Sequence, residues 1–594
     1  MSKVYQVESA LDKSDNSGED YCVAGKWLSG FPASTNPGGP LLTPDALYVY
    51  DRVGNLVSTT TAVDGLPYAV GKSFDSLNRP TDETIAHDGT VLATKHMAYD
   101  SAGNRTLLEA DAPTTGSVDL SIANTFDAEN RVVSQTSVGQ VTTHQYDQFG
   151  NLIRTTLPNG IVVDRTYDDA NRLTMLRNLR GGTYTAMSFY EYTYDHMTNR
   201  LSMRTNFGPT AYSYDALDRL TGVDAPSYYD FSYSYDSAGN RLSSQKQYEG
   251  PTTSTYNSTN ELTKTQGDIG QTTYTWDAAG NLATKINPDS SVAMYLFDSQ
   301  NRLMSVQAPS GSVFHGYDAT GERVLERSNG KDTWFVLDGL SVLMELNSIK
   351  KPTQVFVPGV SQTRLDLPTP FTQFPLHDGL GSVMQLTDDL GNLTQSYVYE
   401  PFGAMQDGAK DRLNRYRYVG LAHDDLTGLT YMNARWYDQN VGRFLGRDPL
   451  RGIPVFSQAV SFYSYVDNNP ISYVDPSGMF RKKNRGECEQ LAQEIQALKN
   501  RRAERESEQA EHGGDESEKG PTHRKSIEQL SNLIRDKEAT YKVQCEDQEP
   551  TASAPVTEPV SAPSNSSGTG ILGKIITIII IITTPIGTPL PGPI

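Results

Sequence analysis

An aromatic residue followed by Asp, then two or three residues, then Gly-Asn or Asn-Arg and a Leu or Val, recurs thirteen times in this chain. Few folds accept such a period. It starts at Tyr50-Asp51 ("YDRVGNLV") and returns at Phe74, Tyr99, Phe126, Tyr146, Tyr167, Tyr194, Tyr214, Tyr235, Tyr256, Trp276, Phe297 and Tyr317. From Phe126 onward the spacings are 20, 21, 27, 20, 21, 21, 20, 21 and 20 residues. Each unit reads as strand, turn, strand. Asp accepts hydrogen bonds from backbone amides two residues on, and Gly or Asn tolerates the positive φ of a tight turn. The flanks alternate, as in "TTYTWD" and "FSYSYD", so one face should carry rings and the other hydroxyls. A lone hairpin is marginal in water, so the units must stack into a continuous sheet. The Tyr-Asp pairs are therefore read as structural, with no active site inside a repeat.

Composition agrees with that reading. The 33 Tyr and 49 Gly against 4 Trp favour many short strands, and 37% hydrophobic residues suffice for a core. A net charge of −20 argues against nucleic-acid binding by this body, because phosphates need a basic face. Three cysteines cannot form a disulfide framework. The start, "MSKVYQVESALDKSDNSGED", lacks an apolar core, so no secretory signal peptide is expected. The expectation is a soluble, acidic protein made in the cytoplasm and, if it leaves, carried out by another machine. No cofactor or metal set is expected.

The repeats resemble the YD repeats of the Rhs family, related to the C components of insecticidal Tc toxins and to teneurins. "FPLHDGLGSVMQLTDDLGNLTQSYVYEPFG" (374–403), "RYRYVGLAHDDLTGLTYMNARWYDQNVGRFLGRDPL" (415–450) and "FYSYVDNNPISYVDPSGM" (462–479) resemble the Rhs-associated core and its end. The resemblance covers roughly residues 46 to 479. It implies a mainly β fold, an antiparallel sheet spiralling into a hollow shell; the residues beyond it read as a small α-helical hairpin and a hydrophobic tail. The implied layout is an N-terminal extension (1–45), a YD shell (46–345), a core with a self-cleavage plug (346–479), a helical hairpin (480–550), a Pro/Ser-rich linker (551–570) and the tail (571–594).

In that family the core cuts itself just after a final Asp-Pro-x-Gly-Leu and frees a variable C-terminal toxin. Here the matching pairs are Asp448-Pro449 and Asp475-Pro476, placing the cut between Met479 and Phe480. Two carboxylates held together share a proton; one activates water while the other assists the scissile carbonyl. Arg447 resembles the Arg beside the catalytic Asp of Tc relatives and would hold Asp448 charged. The first motif reads "DPLRG", one residue longer than usual, and the second ends in Met instead of Leu. Asp467 is the fallback carboxylate. His377, in "LHDGLGS", reads as a loop or core histidine.

Beyond Met479, Cys488, Leu491, Ile495 and Leu498 fall on one helical stripe, and Ile527, Leu530, Ile534 and Tyr541 on another. Folded back antiparallel, the two helices bring Cys488 near Cys545, a disulfide candidate or a buried thiol pair. His512 and His523 lie in or beside the connecting loop, with no metal spacing and no nucleophile beside them. The Ile-rich run at 575–582 is short of a membrane span, and residues 571–583 are either a hidden apolar tail or a membrane-contacting segment. The leading function is a toxin carrier that encapsulates a C-terminal effector. Its implied partners are a secretion machine, possibly type VI, and a cognate immunity protein. The alternatives are a cell-surface adhesion protein with sugar-binding Tyr faces, and an orphan or truncated shell whose cleavage is lost.

Overall fold

The computed structural model describes residues 22–24, 46–113, 118–181, 185–225, 229–408, 414–448 and 461–479, with the isolated positions 499, 502, 531 and 535. The helical hairpin, Cys488, Cys545, Phe480, the linker and the tail otherwise lie outside the described residues. Among them, 35 strands form one sheet, from Cys22–Ala24 to Met405–Gly408. Each strand pairs antiparallel with its neighbour in sequence, as Leu152–Thr156 does with Ile161–Tyr167. This sheet is a single long meander, the outcome the repeat demanded.

The turns show why the repeat keeps its residues. Asp147 Oδ1 accepts from the amides of Phe149 and Asn151, while Gly150, at φ +83°, supplies the left-handed residue. Asn takes that conformation in the next repeat, at Asn171. The residue four after the Asp alternates between Asn and Arg along the sheet, and each type couples to the following repeat differently. Asn151 Nδ2 donates to its own Asp147 and across to Asn171 Oδ1 at 2.8 Å. Arg172 holds Asp168 at 2.7 Å, donates to the Asp195 carbonyl at 2.8 Å, and lays its guanidinium over the Tyr194 ring. The tyrosine hydroxyls reach backwards: Tyr167 donates to Leu152 O and Tyr194 to Leu173 O. Two repeats break the alternation, with Glu261 and Glu322 in the fourth place.

The two faces separate as the flanking sequences foretold. Ser and Thr pair on the exposed face, as at Thr193–Ser202 (2.6 Å) and Thr275–Thr284 (2.7 Å). Rings face inward at the repeat aromatic and again two residues earlier, where Tyr192, Tyr233 and Tyr274 are buried. The sheet winds back on itself through side chains. Arg105 forms a bidentate pair with Asp338, and Arg327 reaches Asp64 at 2.7 Å. One apolar cluster joins Tyr68, Met97 and Leu108 to Trp334, Leu343 and Met344. No helix among the described residues is long and apolar enough to cross a membrane.

Candidate functional site

A second, four-stranded sheet (Ala422–Asp424, Leu429–Met432, Arg435–Asp438, Arg443–Phe444) carries the site. One face, with Leu429, Tyr431 and Trp436, packs on Leu262, Leu303 and Tyr317 of the large sheet. The other, with Met432, Tyr437 and Phe444, packs on Tyr418 and Tyr465. Residues 443–448 and 461–472 run along the row of repeat turns and bond to four of them. Arg443 donates to Asn240 Oδ1 and to the Asn260 carbonyl. Leu445 O accepts from Leu282 N, beside Asn281. Tyr463 donates to Gly280 O, Asn468 to Gly239 O and Asn469 to Asn199 Oδ1. Asn199, Asn240 and Asn281, each 1% exposed, stand two repeats apart, so three Asn-type turns, with the Asn257–Glu261 turn between two of them, are the docking points of this seam.

The seam brings Asp448 and Asp475 to one guanidinium. Arg435 Nη1 lies 3.3 Å from Asp448 Oδ2, and Nη2 lies 3.4 Å from Asp475 Oδ2. All three side chains are buried, at 5%, 1% and 2% exposure. Arg435 Nε donates to the Gly478 carbonyl, and its guanidinium lies 3.6 Å from the Phe444 ring centroid. Asp475 Oδ1 accepts from Met479 N at 3.1 Å and from Ser477 Oγ at 3.2 Å. Asn433 Nδ2 donates to Pro476 O, and Ala434 N to Ser477 O. The segment 475–479 is thus held along its length by residues 433–435. Gly478, at φ +71°, sits so close to the strand that a Cβ would lie 1.9 Å from Met432 O, and only glycine fits.

The two aspartates proposed from sequence are therefore neighbours through one cation, next to the peptide that precedes Met479. Arg447 lies elsewhere: it is exposed and sits 4.2 Å over the Phe462 ring. Arg435, which the sequence reading passed over, occupies the place between the carboxylates. Its signal was an Arg beside the aromatic pair Trp436-Tyr437, in a strand buried along its whole length. Asp467 falls in the short 3-10 turn Val466–Asn468, at φ +55°. His377 ends the strand Phe371–His377, where burial and then Arg165 push its imidazole down to about 4.

A second buried charged group lies deeper. Glu326 binds Arg323 at 2.7 Å and Arg415 at 3.0 Å, and His315 stacks on Trp436 at 4.4 Å. Burial, then Arg323, pushes His315 down to about 3, so it stays neutral. Among the described residues no cluster of three or more His, Cys, Asp or Glu could hold a metal.

The teneurin YD-shell family model matches residues 191–335 and 374–471, and the RHS repeat model matches 126–160 and 146–183. The tRNA nuclease WapA of Bacillus subtilis (strain 168) is 33% identical over 164 residues, 26% of this chain and 7% of that protein. Toxin protein Tse5 of Pseudomonas aeruginosa is 30% identical over 102 residues, 17% of this chain and 7% of that protein. The crystal structure of TcdB2-TccC3 without its hypervariable C-terminal region aligns over 73% of this chain and 24% of that one, with 17% identity and a TM-score of 0.48. The chain thus spans 7% of the length of the WapA and Tse5 relatives.

Proposed function

The chain belongs to the Rhs/YD-repeat family, and from that premise we propose that it is a toxin carrier whose core cuts the peptide after Met479. The freed part, residues 480–594, is the effector segment; the wound sheet encloses it until release. The observation that carries this reading is the convergence of two buried carboxylates on the residues just before the cut. A carboxylate takes a proton from water, the water oxygen attacks the Met479 carbonyl carbon, and the proton passes to the Phe480 nitrogen as the C–N bond breaks. Names of relatives that speak of toxins and nucleases support delivery to another cell, by a secretion machine, with an immunity protein protecting the producer. Membrane contact by residues 571–583 and a Cys488–Cys545 bridge belong to the same proposal.

One observation favours a second reading, a shell without cleavage. Asp475 accepts from the amide four residues on, as every repeat Asp does, and so also serves as a plain turn former. Intact mass of the purified full chain separates the two. The carrier gives fragments of residues 1–479 and 480–594 on denaturation, and Asp448→Asn or Asp475→Asn leaves one chain. A single full-length mass from the unmodified protein refutes self-cleavage.

A further inference from the structure

We infer that the ring-bearing face of the sheet holds a carboxylate site at Arg165, and that an acidic stretch of residues 480–594 occupies it. The inference rests on the carrier reading above and deepens it, since it names a point at which the wound sheet grips its contents. The place two residues before the repeat aromatic carries a ring at Tyr192, Tyr212, Tyr233, Tyr274 and Tyr295. In three consecutive repeats it carries Asn124, His144 and Arg165 instead. The strands between them set Gln135 opposite Asn124 and Thr155 opposite His144. A polar stripe thus crosses five neighbouring strands, from Leu120–Phe126 to Ile161–Tyr167.

The stripe is bonded mainly to itself. Gln135 Nε2 donates to Asn124 Oδ1 at 3.3 Å, and Asn124 Nδ2 to the Arg105 carbonyl at 3.3 Å. Arg165 Nη1 donates to Thr155 Oγ1 at 3.1 Å, and His144 Nδ1 lies 3.4 Å from the same hydroxyl. Among the described residues, Arg165 has that one hydrogen bond and no ion pair. Its neighbour Asp164 faces the other way, as successive strand residues do, and is held there by Arg154 at 2.6 Å. Lys72 stands at the same place in its own repeat and shows the contrast: the next strand supplies its carboxylate, Glu83, at 3.3 Å. His144 and, from the core, His377 are each pushed down to about 4 by burial and then by Arg165, so both imidazoles are neutral. Burial also pushes the Arg165 guanidinium below its usual value. A cation in that setting calls for a counter-ion.

Farther along the same face the core lies on the repeats. Phe402 meets Tyr233 at 5.1 Å, Trp436 stacks on His315 at 4.4 Å, and Tyr431 shares a cluster with Tyr274. The hydrogen bonds of the stripe, by contrast, reach no core residue. The chain carries a suitable anion in "EQAEHGGDESE", residues 508–518, with five carboxylates and neither Lys nor Arg. Glu508 is 29 residues beyond Met479, enough extended chain for about 95 Å, so reach does not confine it to the repeats beside the cut. A carboxylate of that run takes the open edge of the guanidinium fork. The neutral His144 beside it offers a further N–H.

The test uses the full-length chain with Arg165→Lys, a residue type that the same place already accepts at Lys72. A water-soluble carbodiimide joins the introduced amine to a carboxylate in contact with it, as an amide, and peptide mass spectrometry reads the partner. The expected product links position 165 to a carboxylate within 508–518. Converting the five carboxylates to amides (E508Q, E511Q, D515N, E516Q and E518Q) should abolish it. A second readout leaves the sheet unaltered: phenylglyoxal labelling of Arg165 should rise about 3- to 10-fold when those five changes are made. Unchanged labelling overturns the inference, as does a link from position 165 to a carboxylate outside 508–518. If no link forms and sodium acetate slows the labelling more than equal sodium chloride, the site takes free carboxylates and the assignment to this chain's own segment is overturned. The carrier reading fails differently. If trypsin digests residues 480–594 of the native protein at once while the sheet survives, the segment is not enclosed, which refutes that reading and the inference resting on it. A protected segment that gives no link overturns the inference alone.

Discussion

Replacing Arg443 by Met should loosen the seam without unwinding the shell. Arg443 is 5% exposed. It donates to Asn240 Oδ1 at 3.1 Å and to Asn260 O at 2.6 Å, and its guanidinium lies over the Tyr256 ring at 4.7 Å. Methionine fills much of the stem's volume but leaves both acceptors without their donor in a dry site. Two hydrogen bonds to a charged donor contribute about 3–6 kcal/mol. Relief of the buried charge offsets part of this, since burial already pushes the guanidinium below its usual pKa. The net loss is about 2–4 kcal/mol. Hydrogen exchange of the amides in 461–472 reads it directly, with exchange rising about 30- to 1000-fold. Amides of the distant strands Leu66–Phe74 and Pro80–His87 should not change. Unchanged exchange in 461–472 would refute the idea that the Asn-type turns dock this segment, and a uniform rise across the sheet would show that Arg443 serves the whole fold.

Further outcomes follow from the turns and the pocket. Hydrogen bonds from the Arg79 amide and guanidinium hold Asp75 below the usual carboxylate range, and the Asn104 side chain leads the same effect at Asp100. These folded-state values are depressed, so their stabilisation is present above the unfolded pKa and lost as pH falls through the folded one. The urea midpoint should drop below about pH 4, and a flat acid limb would count against the turn account. At Glu322, burial and then Asp318 push the carboxyl up to about 8. The folded chain then binds the extra proton between the ordinary value and about 8, so stability falls as pH rises through that window. Glu322→Gln should flatten that slope in thermal melts; an unaltered slope places the titration elsewhere. Arg172→Met should cost about 1–2 kcal/mol in urea unfolding, through the Tyr194 ring contact and the Asp195 carbonyl bond. A loss near zero would mean the Arg-type repeats are not coupled through that side chain. Gly478→Ala, whose Cβ meets Met432 O, should push residues 475–479 off the neighbouring strand, leaving the chain uncut and lowering its melting temperature, as mass and calorimetry would record.

Most of the sheet was legible because its causes are local. An Asp with an amide two residues on, and a Gly or Asn able to take positive φ, define a turn wherever they stand. Period-2 alternation then sorts rings from hydroxyls. The alternation of Asn and Arg in the fourth place was equally visible in the letters, but its meaning is a contact between repeats and needed coordinates. The winding was expected only through the family resemblance: Arg105 and Asp338 are 233 residues apart, and nothing local in either strand pairs them. Arg435 was missed for a related reason. A buried arginine next to two aromatics looks like a surface residue until the partners that neutralise it arrive from two other segments.

Asp475 shows most clearly what a local motif leaves open. In a repeat such as that of Asp168, Oδ1 accepts from the amides two and four residues on, and Oδ2 holds the cation four residues on, Arg172. At Asp475 the frame is kept in part: Oδ1 takes the hydroxyl of Ser477, two on, and the amide of Met479, four on. The fourth place, however, is the residue at the proposed cut, so it cannot also bring the cation. The cation comes instead from a separate strand, as Arg435, and brings Asp448 with it. Asp168 is tied to its own turn, with its side chain 25% exposed; Asp475 is tied across chain segments and is 2% exposed. The same four-residue chemistry thus makes a turn when its cation is local and a paired-carboxylate pocket when its cation is shared.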